Sequence, residues 1–242
     1  MPLESPQLDA IAAYDQVAPA FCDLTQLRRA YLDAVDSIIV SSVPKHAKSL
    51  LDVGAGDGRR ALKIASETGI RKIVLAEPSA GMRALIPSGY ETWATKIEDL
   101  PPNARAFDAV LCLWNVLGHV PGDSRLAALK NLAGLCSDKS AIFLDVINRY
   151  NVAECGVVTV AGRRVRDVFL PTEHNGDVAV KWSLKGTDVR TQGHVFTARE
   201  MAGLFERAGL DVTERCILDY HTGEQRTSTR AGNFLYILKP RR

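Results

Sequence analysis

Three glycines at alternate positions, Gly54, Gly56 and Gly58, close a short apolar run and open a helix-like pattern within "LLDVGAGDGRRALKIA", residues 50–65. A strand that ends in closely spaced glycines and turns into a helix brings the backbone close to a nucleotide-bearing ligand, because glycine reaches left-handed torsions and has no Cβ. The dinucleotide form of such a loop, G-x-G-x-x-G, would need glycine at position 59, which is Arg59. About 20 residues further on, Val74-Leu75-Ala76 ends in Glu77, a carboxylate placed to accept both hydroxyls of a ribose. A second group of reactive types follows the apolar run Phe107–Leu113 and reads Cys112-Leu113-Trp114-Asn115-Val116-Leu117-Gly118-His119-Val120. His119 can take a proton near neutral pH, or it can serve structurally by bonding a backbone group. Arg149, in Asp145-Val146-Ile147-Asn148-Arg149-Tyr150-Asn151, is read either as a bidentate partner for a substrate carboxylate or as a surface arginine.

The elements that must position these residues follow from periodicity. Residues 8–43 carry apolar side chains at helical spacing, broken at Pro19, and predict two helices. After Pro44 strand and helix alternate: a strand at Ser49–Val53, a helix at Arg59–Thr68 ended by Gly69, and a strand at Lys72–Ala76. A helix around Ser79–Leu85 and a short strand at Glu91–Thr95 come next. Phe107–Leu113 has the near-continuous apolar character of a strand covered on both faces; Asp123 is expected to cap a helix through Cys136, and Ala141–Val146 makes the fifth strand. Such alternation implies a parallel sheet with helices on both sides. Beyond Asn148, Val157–Val160, Val165–Leu170 and Val178–Leu184 read as antiparallel strands separated by turns at Gly162 and Asn175-Gly176-Asp177. Thr197 and Glu200 form a capping box for a helix through Ala208, closed by Gly209. Two strands near Val212–Leu218 and Phe234–Leu238 complete the chain.

The G-x-G-x-G loop after an apolar strand with Asp52 at its end resembles motif I of the class I S-adenosylmethionine-dependent methyltransferases. The resemblance extends in order to Glu77, to Lys96-Ile97-Glu98-Asp99 and to the Phe107–Leu113 strand, over residues 50–150 or so. The Leu113–His119 edge resembles the "CLGNSFAH" type of stretch in glycine N-methyltransferase-like enzymes, with Trp114 where glycine is usual; Cys136–Ser140 departs from the common Pro-Gly-Gly turn. The resemblance implies a Rossmann-like, doubly wound α/β fold with a mostly parallel seven-stranded sheet and an antiparallel last strand. It implies a single methyltransferase domain: N-terminal helices at 1–45, a cofactor-binding core at 46–146, an antiparallel substrate-covering insertion at 147–196, and the last helix and strands at 197–242. The cofactor implied is S-adenosyl-L-methionine, leaving S-adenosyl-L-homocysteine, held by Asp52, Gly54, Ala55, Gly56, Gly58, Glu77, Pro78, Met82, Ile97, Glu98, Leu113 and, from the N-terminal lid, Arg28. His119 and Tyr14 are the catalytic candidates, and Asn115, Trp114 and Arg149 the substrate-binding ones.

Composition bounds the partners. The 242 residues are 46% hydrophobic and 24% charged with a net charge of +2, so a nucleic-acid acceptor is not expected, although Arg163–Arg166 and the Lys239–Arg242 tail leave an RNA (tRNA) methyltransferase as the alternative. A cofactor-binding homologue without turnover is the other. Five cysteines without a C-x-x-C pair predict neither a disulfide framework nor a zinc site and fit a reducing cytoplasm; the N-terminal residues 1–6 lack the features of a signal peptide. No apolar run reaches the roughly 18–20 residues of a membrane helix. Glu173, His174 and Asp177, in a polar turn, predict no metal centre, and neither Cys112 nor Cys216 has an evident activating base. The acceptor is expected to be a small molecule, and the assembly is left open between monomer and homodimer.

Overall fold

The computed structural model describes residues 7–101, 106–184 and 187–241; the reading of residues 1–6 and that of Arg242 lie outside them. A two-residue strand β1 (Gln7–Leu8) leads into α1 (Ala10–Val17), a 3-10 turn at Ala18–Ala20, α2 (Phe21–Leu27) and α3 (Arg29–Ser42). The two helices expected here are therefore three. Pro19 tightens the first break into the 3-10 turn, and Arg28, at φ −119° and ψ 16°, makes the second. The core continues with β2 (Ser49–Val53), α4 (Arg59–Thr68), β3 (Lys72–Ala76), α5 (Ala80–Arg83), β4 (Glu91–Trp93), β5 (Phe107–Cys112), α6 (Arg125–Gly134) and β6 (Cys136–Val146). Then come α7 (Val152–Cys155), α8 (Val157–Phe169), β7 (Asp177–Leu184), β8 (Thr187–His194), α9 (Ala198–Ala208), β9 (Leu210–Leu218) and β10 (Asn233–Pro240).

Seven strands form one sheet in the order β4-β3-β2-β5-β6-β10-β9, in which only β10 runs antiparallel to its neighbours. This is the Rossmann-like, mostly parallel sheet with an antiparallel last strand. All five residues of β2 are buried, as a strand flanked by helices on both faces requires. One apolar layer joins α6 and α9 to the sheet through Leu129, Leu132, Met201 and Phe205; the other joins α3 and α4 through Val35, Ile39, Ala61 and Ile64. The boundaries of α4, with Gly58 and Gly69 both left-handed at its ends, and the Thr197–Glu200 capping box of α9 are those the residue types dictate.

Three further expectations are corrected. The segment read as strands Val157–Val160 and Val165–Leu170 is the single helix α8. Gly162 in its middle costs about 1 kcal/mol relative to alanine. Against this, one helical turn sets Arg163 and Asp167 on the same face, where Arg163 donates to the Arg149 carbonyl (2.9 Å) and Asp167 receives Arg149 Nε and Nη2 (2.7 and 2.9 Å) and the Tyr150 hydroxyl (2.6 Å). The remaining part of the insertion is the β7–β8 hairpin, to which β1 adds in parallel. Cys136–Ser140, expected as a turn, begins β6: the Ser140 hydroxyl donates to the Phe107 carbonyl (2.6 Å) across a register shift. Finally, α6 ends at Gly134 and its N-cap is Ser124; Asp123 instead accepts from the Ser124 hydroxyl. No helix among the described residues is long and apolar enough to cross a membrane.

Candidate active site

The carboxyl ends of β2, β3 and β5 converge on a cavity of about 490 Å³, closed from above by α1 and Phe21. The glycine loop is tied to β3, since the Gly54 and Ala55 amides both donate to the Ala76 carbonyl (2.8 and 3.1 Å). Gly54, Gly56 and Gly58 all have positive φ. At Gly54 a Cβ would lie 2.4 Å from Val116 Cγ2, so only glycine lets the β5 turn pack over the loop. Glu77 leaves the end of β3 and accepts from the Gly56 amide (2.9 Å) and the Ser79 amide (2.8 Å), one bond to each oxygen. Burial pushes its carboxyl above the usual range, against those two amide bonds. Each oxygen keeps a lone pair for a further donor.

The opposite wall is the turn after β5. Trp114 and Asn115 stand at φ 59° and 62°, a left-handed pair without glycine. The buried Asp145 carboxylate at the end of β6 holds them, accepting from the Trp114 and Asn115 amides and from the Tyr31 hydroxyl (2.8 Å). Asn115 then spans two elements, its Oδ1 accepting from the Ile147 amide (3.0 Å) and its Nδ2 donating to the His194 carbonyl (3.1 Å). A Cβ at Gly118 would lie 2.2 Å from that Nδ2, which fixes glycine there.

Where this turn meets α1, the Tyr14 hydroxyl lies 3.3 Å from His119 Nε2, with the two rings edge to face at 5.4 Å. His119 Nδ1 is 3.2 Å from the Gln192 carbonyl of β8. A carbonyl only accepts, so Nδ1 carries the hydrogen, Nε2 is the acceptor, and Tyr14 donates to it. Burial lowers the His119 pKa from its ordinary value and raises that of Tyr14, so both are neutral at pH 7.

Of the candidate residues, Tyr14, Gly54, Gly56, Glu77, Pro78, Ile97, Glu98, Leu113, Trp114 and His119 line this one cavity. Asp52, Ala55, Gly58, Met82 and Asn115 stand behind it. Met82 is buried with its methyl beside Gly56, and Gly58 packs on Leu75. Asp52 is buried between β3 and β5, and desolvation pushes its carboxyl up to about 8 against the field of Arg60.

Two candidates lie elsewhere. Arg149, a candidate for substrate binding, is buried against Asp167 beneath α8, because that carboxylate satisfies its guanidinium. Arg28 stacks over the Tyr220 ring at 4.1 Å and bonds His221 and Glu154, one aromatic layer behind Trp114, whose Nε1 donates to the Tyr220 hydroxyl (3.1 Å). Asp15, Ser79 and Asp145 were not among the candidates. Asp15 ties α1 over the cavity by accepting from the Ser79 hydroxyl (2.6 Å) and the Gly81 amide (2.8 Å). Its partners are 64 and 66 residues away, a separation no local motif reveals.

Glu173, His174 and Asp177 pair on an exposed turn, and among the described residues no group of three or more His, Cys, Asp or Glu is arranged to hold a metal. Burial pushes the Cys112 thiol far up, and burial with Glu214 nearby raises Cys216 to about 11.

The strand order, the glycine loop with its acidic partner on the next strand, and the cavity at the strand ends define the fold of the class I S-adenosylmethionine-dependent methyltransferases. A family model described as "Methyltransferase domain" matches residues 24–215, and the chain belongs to that family. Among solved structures it is similar to an S-adenosylmethionine-dependent methyltransferase from Clostridium acetobutylicum, at 11% identity and a TM-score of 0.67 over 95% of this chain and 99% of that one. It is also similar to the sugar N-methyltransferase KedS8 from a Streptoalloteichus species, at 15% identity and a TM-score of 0.60 over 100% and 97% of the two chains. A third is the amino pentose methyltransferase CalS10 from Micromonospora echinaspora, at 16% identity and a TM-score of 0.56 over 86% and 91%. At these identities the likeness is one of fold. No curated protein matches the chain.

Proposed function

We propose that this chain transfers a methyl group from S-adenosyl-L-methionine to a nitrogen or oxygen of a small molecule by direct displacement. One observation carries the reading: the cavity edged by Gly54, Gly56 and Glu77 is the cavity onto which the Tyr14–His119 pair opens. The residues present fit the cofactor. Glu77 has two anchored oxygens with lone pairs to spare for ribose hydroxyls, Ile97 and Glu98 border an adenine slot, and the Gly54 and Gly56 backbone borders the cavity without side chains. The cofactor supplies an electrophilic methyl on a sulfonium, so the protein must align the acceptor and remove its proton. Tyr14 Oη accepts the acceptor's N–H or O–H and passes its own proton to His119 Nε2, while the bond from Nδ1 to Gln192 keeps that nitrogen unprotonated and aimed. Trp114 forms the aromatic wall beside them, and Asn115 and Asp145 hold that wall in place.

The two fold neighbours described as a sugar N-methyltransferase and an amino pentose methyltransferase support an amine nitrogen as acceptor. RNA draws less support, because Arg163 donates to its own backbone at Arg149 and Arg164 lies over the Tyr150 ring. The test is turnover of S-adenosyl-L-methionine, read as S-adenosyl-L-homocysteine released, against a panel of small amines and phenols and against mixed tRNA. Turnover on an amine or phenol is expected. Turnover on tRNA alone, or on nothing while the cofactor binds, would favour one of the two other readings.

A further inference from the structure

Consecutive residues of an α-helix point about 100° apart, and α1 gives two neighbours to two different partners. Tyr14 meets His119 of the β5 turn, and Asp15 meets α5. Both bonds to Asp15 fall on one oxygen: Oδ1 accepts from the Ser79 hydroxyl (2.6 Å) and from the Gly81 amide (2.8 Å). The Ser79 hydroxyl and the Gly81 amide hold this carboxyl below its usual range, so the bonds are charge-assisted at pH 7. Ser79 also donates its backbone amide to Glu77 (2.8 Å), and its hydroxyl accepts the Met82 amide (3.1 Å) that opens α5. Gly81 lets the two helices approach. A Cβ there would lie 3.1 Å from both the Cα and the carbonyl oxygen of Asp15, and 3.2 Å from Ala18 Cβ. Glycine is, proline apart, the poorest helix former, so its place inside α5 answers to this contact and not to the helix.

On the reading of the cavity as a methyl-transfer site, on which this rests, we propose that Asp15 is a positioning residue for the reaction. By pinning α1 to α5 it sets the rotation of that helix, and so the place of the Tyr14 hydroxyl against His119. Helix α1 has 8 residues, too few to be stable alone in water, so its placement is decided by what it touches. Its buried Ala13 and Val17 supply apolar contact, which has no direction, and β1 pairs with β8 over two residues only. The Asp15 bonds are directional and lie one residue from Tyr14. They use both lone pairs of Oδ1, so that oxygen serves α5 and not the acceptor. A turn of about 10° moves a side-chain tip by about 1 Å on a helix whose radius with side chains is about 5–6 Å. A misplacement of that size costs about 100-fold in rate.

The test compares wild type, Asp15→Ala, Asp15→Asn and Gly81→Ala with the amine or phenol of the panel that wild type turns over fastest, and follows amide hydrogen exchange in the same proteins. Asp15→Ala is expected to lower kcat about 10- to 100-fold while KM and the affinity for S-adenosyl-L-homocysteine are kept. Its α1 amides should exchange about 10-fold faster, with those of α9 at the wild-type rate. Asp15→Asn keeps an oxygen for both donors and should restore most of both quantities. Gly81→Ala leaves Asp15 in place but pushes α1 off α5, and should lower kcat in the same way with the melting temperature unchanged. A loss in KM without a loss in kcat, an asparagine variant as impaired as the alanine one, or α1 exchange in Asp15→Ala at the wild-type rate would overturn the proposal. A wild type that turns over no acceptor would refute the proposed function instead, and the exchange rates alone would then decide whether Asp15 pins α1.

Discussion

Trp114 is a tryptophan in a backbone conformation that favours glycine, and replacing it with glycine and with alanine separates the side chain from the backbone. Both replacements remove the same indole: its 5.7 Å ring contact with Phe21 and its bond to the Tyr220 hydroxyl. Removing a fully buried Trp costs about 3–5 kcal/mol, so both variants of this half-buried one should lie roughly 2–3 kcal/mol below wild type. They differ only in what φ 59° asks of the backbone. An L-residue there is strained by about 1–2 kcal/mol, whereas glycine loses about 0.5–1 kcal/mol more than alanine in chain freedom on folding. The difference leaves Trp114→Gly more stable than Trp114→Ala by roughly 0.5–1 kcal/mol, the reverse of the order in a helix. Urea unfolding followed by the fluorescence of Trp93 and Trp182 reads this as a midpoint higher by a few tenths molar for the glycine variant. An alanine variant equal to or more stable than the glycine variant would refute the left-handed turn and, with it, the role given to Asp145.

Tyr14→Phe and His119→Gln should each lower kcat by about 10²–10⁴ with cofactor affinity kept, and the double variant should lose little more than the worse single one, because the two act as one relay. Additive losses would separate them. The acidic limb of kcat/KM should fall below pH 6.5, the ordinary imidazole value, because burial depresses His119 in the folded protein. For the same reason the folded chain binds fewer protons there than the unfolded chain, so this residue's contribution to stability declines as pH falls through about 6.5 toward the folded pKa. A limb above 6.5 that disappears in His119→Gln would contradict the neutral base. Arg149→Ala should lower stability by roughly 2–4 kcal/mol, since it leaves Asp167 unpaired beneath α8, and should leave cofactor and acceptor affinity unchanged. A stable variant with a raised KM would return Arg149 to the substrate.

The half of the cavity edged by the glycine loop and Glu77 was legible because its signals are local. The three glycines, the acidic residue ending the next strand and the caps of α4 lie within 30 or so residues and obey short-range rules. The half built on Tyr14 and His119 depends on separations that periodicity does not encode: Tyr14 and His119 are 105 residues apart, Tyr31 and Asp145 are 114 apart. Tyr14 and His119 were visible as residue types, and their contact was not. Helix α8 was misread because its valines have the β-branching of strands and Gly162 punctuates them like a turn. What decides for the helix is Asp167 with Arg149, an ion pair that exists only once β6 has delivered Arg149 beneath it. That same pair explains why an arginine that suits a substrate carboxylate does not reach the cavity.

The central claim is that Glu77 and the glycine loop hold S-adenosylmethionine next to the Tyr14–His119 pair. Calorimetric titration of S-adenosyl-L-homocysteine into wild type, Glu77→Ala and Tyr14→Phe tests it most directly. One-to-one binding is predicted for wild type, weakened about 10- to 100-fold by Glu77→Ala through loss of charge-assisted bonds of about 1.5–3 kcal/mol, and unchanged by Tyr14→Phe. No binding to wild type, or equal binding to wild type and Glu77→Ala, would contradict it.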